Sequence, residues 1–415
     1  MTAQVNNDNP TKDEPKLLRR DFILLPALAL FTIVVLIAAS EMFARKNFVD
    51  AETHLAPCLV LNDISTGVRG VPNSRCFAKG SESAWAEYKF NSCGHRAGVE
   101  CGAKPEGSYR IVMTGSSIAM GLYVPNDKSI AGLLPAELSH ATGRTVDVYN
   151  TSIGAAYGGT PHSISLRFNE ITAAKPDLIL WILTPWDIDH ASDLKPESDY
   201  LAALGNAQGG QPEPASLRAS TMHRLAKKIG AESAATALYT DLKQFRFRVL
   251  LTHYLYKSRS LYVKAYLMNG DDKIGFLKTE WSPEWKDDLN QFDGYAAQIT
   301  AQAKDAGIPL VAVLIPNRAQ AAMISTGEWP QGYDPSKLDN EVRSSITSHG
   351  GNFIDIFPDF RTIPNPESNF MPVDGHPYEE GHAMLAEMIA KHLTAGAVPA
   401  LKTNAGPNTT QAAAK

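Results

Sequence analysis

A serine, an acid and a histidine set the first chemical question. Residues 109–114 form a short apolar run, YRIVMT, which stops at Gly115-Ser116-Ser117 and is followed by Gly121. Far downstream, PVDGHPYEEGH carries Asp374 and His376 on either side of Gly375. A serine hydroxyl is a weak nucleophile until a base takes its proton. Histidine suits that role because it titrates near neutrality. An acid on the other ring nitrogen fixes the tautomer and stabilises the imidazolium. Small residues after a strand let the chain turn sharply, and amides at the start of a helix can hold a developing oxyanion. The same residues also allow simpler roles. Ser117 could cap a helix, or the strand–turn–helix could bind phosphate, although no lysine follows it as in a P-loop.

These residues need a scaffold that brings them together. Five apolar, partly β-branched runs read as buried parallel strands: 109–114, 145–150, 177–183, 308–315 and 352–357. Helix-like stretches alternate with them at 129–143, 161–175, 291–307, 336–351 and 378–393. That alternation predicts an α/β fold, a parallel sheet covered by helices on both faces. Sites in such sheets form at the carboxyl ends of the strands. There the sequence places Ser117 after the first strand, Ser152-Ile153-Gly154-Ala155 after the second, Thr184-Pro185-Trp186-Asp187 after the third and Pro316-Asn317-Arg318 after the fourth. Asp374 and His376 follow the fifth. Residues 192–290 break the rhythm and read as a helical insertion between the third and fourth strands. It opens on a Gly/Pro/Ser-rich linker and carries a basic stretch from Asp241 to Tyr266. That stretch reads as a solvated charged face, or as a surface for an anionic glycan or lipid head groups.

On these residues the chain resembles the SGNH (GDSL-type) serine hydrolase family. The first family motif, G-D-S-x-x-x-G after the first strand, is matched by Gly115-Ser116-Ser117-Ile118-Ala119-Met120-Gly121, with Ser116 in place of Asp. The last motif, an acid and a histidine after the final strand, is matched by Asp374 and His376 in VDGHP. The segment before the first strand, KFNSCGHRAGVECGAKPEGSYRIV, also resembles that of membrane-anchored bacterial members. The resemblance covers roughly residues 88–394, less the insertion. It implies a three-layer α/β/α sandwich with a five-stranded parallel sheet of flavodoxin-like type. It also implies Ser117 as nucleophile, His376 as base and Asp374 as orienting acid. The oxyanion hole would come from the amides of Ser117 and Gly154 with Trp186 as a further member, and Ala155 is the alternative to Gly154 on a one-residue shift. Three departures stand out. Trp186 occupies the place of the third-motif Asn, whose side chain serves the oxyanion hole. Only Gly375 lies between the acid and the histidine, where two residues are common, which leaves Asp187 and Glu379 as alternative acids. Ser116 reads as a neighbour that shapes the turn.

The rest of the chain sets the compartment. Phe22 to Ser40 carries no charge, while Lys12, Lys16, Arg19 and Arg20 precede it. This predicts a single membrane anchor over 22–40, with a cytoplasmic, disordered tail over 1–21 and the remainder exported. A cleaved signal peptide is the alternative. Cys58, Cys76, Cys93 and Cys101 all lie in the following entry segment, 41–105, and none occurs later. Their clustering reads as two disulfides. Cys58–Cys76 with Cys93–Cys101 is the local pairing among three possibilities, and the intervals do not suit a zinc site. The hydrolase domain is expected over 106–394, followed by a loose tail over 395–415. With 415 residues, a net charge of −5 and 44% hydrophobic residues, the chain is globular and is not a nucleic-acid binder. No metal or organic cofactor is implied.

Three functions follow from the resemblance and the residues. The first is an inner-membrane-anchored esterase of the periplasm acting on O-acyl groups, in particular acetyl esters of an exported polysaccharide. The second is acyl transfer onto a glycan with a membrane-bound O-acyltransferase partner. The third is a non-catalytic glycan- or partner-binding domain, motivated by Trp186 and the basic insertion.

Overall fold

The computed structural model describes residues 20–48, 52–60, 68–153, 160–189, 245–269 and 271–402. Its centre is a parallel sheet of five strands: β1 (Tyr109–Gly115), β2 (Val146–Asn150), β3 (Leu178–Leu183), β4 (Leu310–Leu314) and β5 (Asn352–Phe353). Their spatial order is β2-β1-β3-β4-β5, every pair parallel. This is the doubly wound, flavodoxin-like order, whose switch point lies between β1 and β3. All residues of β1, β3 and β4 are buried. Strands covered on both faces have no solvent side to show, so they read as unbroken apolar runs. Helices form the two outer layers. Ile130–Thr142 packs against Glu379–His392, while Pro283–Asp305 packs against Lys337–Ser348 and Thr160–Leu166.

Several elements differ from the sequence expectations, each for a local reason. The expected strand 352–357 pairs only over Asn352–Phe353. Ile354 still donates to Ala312 O (3.0 Å), but Asp355 then accepts from Phe357 N (3.0 Å) and turns the chain into a short helix. The expected helix 161–175 is broken at Arg167, which is drawn inward to donate to Thr151 O (3.3 Å) at the end of β2. The helix expected from 291 begins at Pro283, capped by Ser282 accepting from Trp285 N. It therefore crosses residue 290, the expected end of the insertion. The loose tail expected from 395 is ordered as far as the described chain runs: Val398 and Leu401 are buried in the main core. An apolar residue that can reach a core is more stable there than in water. The linker at 205–216 lies outside the described residues. The described remainder of the insertion comprises helices Phe247–Leu255 and Arg259–Asn269 and a 3-10 stretch, Asp271–Leu277.

The N-terminal apolar segment is one helix, Asp21–Asn47, long and apolar enough to cross a membrane. The entry segment after it forms a small three-stranded antiparallel sheet from Glu52–His54, Arg75–Lys79 and Trp85–Lys89. Disulfides join Cys58 to Cys76 and Cys93 to Cys101. A second, smaller core of Tyr88, Phe90, Cys58 and Cys76 also takes in Met120, the last residue of the helical turn that carries Ser117.

Candidate active site

β1 ends in Gly115, and the chain then turns into a single helical turn, Ser117–Met120. Glycine is needed at 115, because a Cβ there would lie 2.3 Å from Ile182 O on β3. The backbone of β1 thus lies against its neighbour at the switch point, and Ser117 emerges at the start of the helical turn. The Ser117 amide is one of those that a helix start leaves without an intrahelical partner. Gly154 and Ala155, the other amides expected in an oxyanion hole, lie outside the described residues.

Ser117, His376 and Asp374 come together. His376 Nε2 lies 2.8 Å from Ser117 Oγ, and His376 Nδ1 lies 2.5 Å from Asp374 Oδ1. Asp374 Oδ1 also accepts from the backbone N–H of His376 (3.2 Å). The one-residue spacing works because Gly375 adopts φ +89°, which folds the Asp374 side chain back over its own turn. Gly375 N donates to Met371 O and Met371 N to His376 O, closing that turn. Burial pushes the Asp374 carboxyl up, but hydrogen bonds and charge from His376 outweigh it and hold it below the ordinary value. The Asp374 and His376 side chains are 20% and 22% exposed, so the dyad sits at a cavity wall.

Two alternative acids are set apart from this geometry. Asp187 is fully buried and accepts from Thr184 N (2.7 Å), Thr184 Oγ1 (2.7 Å) and Ser116 Oγ (3.1 Å). It therefore ties the turn after β3 to the turn after β1. Burial pushes its carboxyl up against the pull of those hydrogen bonds. Glu379 opens the last helix, and Asp374 holds the imidazole position it would need. Ser116 is buried, and its hydroxyl is committed to Asp187. Trp186 is 56% exposed in the short helix Pro185–Asp189. It lines the same cavity as Ser117 and His376.

That cavity has a volume of about 470 Å³ and an aromatic wall that the sequence alone does not reveal. The helix Arg259–Asn269 contributes Tyr262 and Tyr266, the 3-10 stretch contributes Phe276, and the start of the following helix contributes Trp285. The insertion thus builds one side of the candidate site. Arg318, after β4, is buried under it, stacks on Tyr262 at 3.8 Å and donates to Glu367 O and Pro372 O. Asn317 caps its helix and donates to Tyr266 Oη (2.8 Å). A second cavity of about 590 Å³ lies on a different face of helix Arg259–Asn269 and holds none of the triad. His382 is completely buried in the last helix, and burial, then the charges of Arg96 and His376, push it down to about 3. Among the described residues no cluster of His, Cys, Asp and Glu could hold a metal ion.

No protein-family model matches the sequence, and no curated protein matches it significantly. Solved structures do align with it. A lipase/acylhydrolase from Enterococcus faecalis has 13% identity over 69% of this chain and 95% of its own, with a TM-score of 0.34. The psychrotrophic esterase EstA from Pseudoalteromonas sp. has 10% identity over 68% of this chain and 96% of its own, with a TM-score of 0.32.

Proposed function

We propose that the chain is a serine esterase of the SGNH type that hydrolyses O-acyl esters. One observation carries the proposal: His376 bridges Ser117 Oγ at 2.8 Å and Asp374 Oδ1 at 2.5 Å, at the carboxyl end of a doubly wound sheet. In this reading Ser117 Oγ attacks the ester carbonyl carbon while its proton passes to His376 Nε2. Asp374 holds the Nδ1–H and stabilises the imidazolium. The Ser117 amide faces the developing oxyanion, with the Gly154 amide as the proposed second donor. His376 then gives its proton to the departing alcohol oxygen. Water, deprotonated by the same nitrogen, attacks the acyl carbon, and Ser117 Oγ takes that proton back from His376 as the carboxylic acid leaves.

The finer reading is an acetyl ester carried by an exported polysaccharide, with the domain held outside the cytoplasmic membrane by helix Asp21–Asn47. The aromatic wall supports a bulky alcohol portion, because flat rings with polar edges bind amphipathic ring systems well. The two disulfides support an oxidising compartment. A fluorophosphonate probe tests the reading on the full chain in detergent. Labelling at Ser117, blocked by His376→Ala, is expected; labelling that persists in Ser117→Ala would remove the nucleophile.

A further inference from the structure

We propose that the entry hairpin is a working part of the active site and that Glu82, at its tip, is a positioning residue for the triad acid. The proposal rests on the esterase reading above. Glu82 lies between strands Arg75–Lys79 and Trp85–Lys89, in a turn pinned by Gly80 N donating to Ser83 Oγ (2.8 Å). Its side chain has no exposed surface. One oxygen, Oε2, accepts from two consecutive amides, Val373 N and Asp374 N, both at 2.9 Å. The other, Oε1, lies 2.5 Å from His253 Nδ1.

A carboxyl group is costly to bury unless its oxygens are met, and here every contact goes to one of two places. The first is the backbone from which the Asp374 side chain departs. Asp374 reaches His376 only through the tight Gly375 turn, closed from inside by Met371. Glu82 closes that turn from outside by fixing the two peptide groups before it. The second is the helix Phe247–Leu255. That helix is docked on the N-terminal apolar helix: Phe247 N donates to Glu41 Oε2 (2.8 Å), and the His253 ring meets Phe48 edge-on at 5.1 Å.

The same segment grips the nucleophile side. Tyr88 Oη accepts from Tyr123 N (2.7 Å) and donates to Gly121 O (3.3 Å). Arg96 donates to Gly121 O (2.8 Å) and Val124 O (2.6 Å). The Tyr123 ring in turn stands edge-on to His376, centroids 5.6 Å apart. One disulfide-bonded segment therefore holds both the loop behind Ser117 and the turn that carries Asp374. A misplacement of about 1 Å in such a constellation can cost roughly 100-fold in rate.

The test compares Glu82→Ala, Glu82→Gln and His253→Ala in the full chain in detergent micelles, with two readouts. For turnover of an aryl acetate, Glu82→Ala is expected to lower kcat by roughly 30- to 100-fold with KM within about 2-fold. Glu82→Gln keeps an oxygen acceptor and is expected to recover most of that loss, with His253→Ala between the two. The second readout needs no turnover: the downfield proton resonance of the His376 Nδ1–H, identified by its loss in Asp374→Asn. It should shift or vanish in Glu82→Ala while the melting transition stays cooperative. An unchanged resonance in Glu82→Ala would overturn the positioning role whether or not the wild type is active. So would kcat within about 3-fold of wild type, or Gln no better than Ala. A wild type that shows the resonance and its dependence on Glu82 but neither turns over ester nor labels at Ser117 would sink the esterase reading alone.

Discussion

His376 Nδ1 lies 2.5 Å from Asp374 Oδ1 although only Gly375 separates the two residues. The contact is local in sequence, whereas the 2.8 Å contact of His376 with Ser117 joins opposite ends of the domain. The Asp374–His376 contact is thus set by one turn, and Ser117 is brought to it by the sheet. The two halves can be perturbed separately.

Removing the proposed nucleophile or the proposed base tests the long-range half. Ser117→Ala and His376→Ala are each expected to lower kcat/KM by at least about 10⁴-fold, and the double variant little further, because triad members act as a unit. Steady-state hydrolysis of an aryl acetate measures this. Additive losses in the double variant would argue that the two residues do not share a step.

Gly375→Ala tests the local half. A Cβ at 375 meets no atom within 4 Å, so only the backbone conformation at φ +89° is penalised. A left-handed residue costs about 1–2 kcal/mol. The expected outcome is a stability loss of about 1 kcal/mol with a roughly 10-fold fall in kcat as the carboxylate is re-aimed. Gly375→Asn should be milder, since Asn tolerates positive φ better. Denaturant melts alongside kinetics separate the two effects; full activity in the Ala variant would show that the turn has slack.

Much of the fold is legible in the sequence because β1, β3 and β4 are buried on both faces and so are written as unbroken apolar runs. Apolar patterning overestimates edge strand β5, because Asp355 ends the pairing with a side-chain hydrogen bond that such patterning does not register. Ser117, His376 and Asp374 stand out through their strand-end positions and the family-like motifs around them. Glu82, Tyr262 and Trp285 do not. Their roles come from contacts between distant segments: Glu82 from a hairpin tip meeting a turn after β5, and the aromatic wall from an insertion folded back over the sheet. Nothing in the spacing of those residues encodes that meeting. Trp186 is legible as a departure from the family pattern, and its place at the cavity wall explains how a large side chain is accommodated there.

Asp187 separates structural from chemical roles among the acids. It collects the hydroxyls of Thr184, Thr160 and Ser116 and the Thr184 amide, so Asp187→Asn presents an amide group where donors already converge. A buried group left badly matched costs roughly 1–3 kcal/mol. Asp187→Asn should therefore lower the melting temperature clearly. Asp374→Asn should cost less stability than Asp187→Asn and lower kcat by about 10⁴-fold, as expected for a lost orienting acid. Equal kinetic damage from both variants at equal stability would return Asp187 to the candidate acids.

Acid sensitivity should come from buried histidines before it comes from the triad acid. Asp374 is held below its ordinary value of 3.8, so its contribution to stability is present above that pH and is lost only as pH falls through the lowered value. His382 runs the other way in charge but gives the same slope. Burial pushes it from 6.5 down to about 3, so the unfolded chain binds its proton first and stability falls as pH drops from above 6.5 towards 3. His95, pushed to about 4 by burial and the Arg167 charge, adds to this. At about pH 5 each contributes a loss of about 2 kcal/mol relative to neutral pH. Urea unfolding at about pH 7.5 and about pH 5 measures the difference. The gap should shrink by about 2 kcal/mol in His382→Gln, whatever that substitution costs at about pH 7.5. A gap as wide in the variant as in the wild type would mean that His382 takes up its proton without unfolding the last helix.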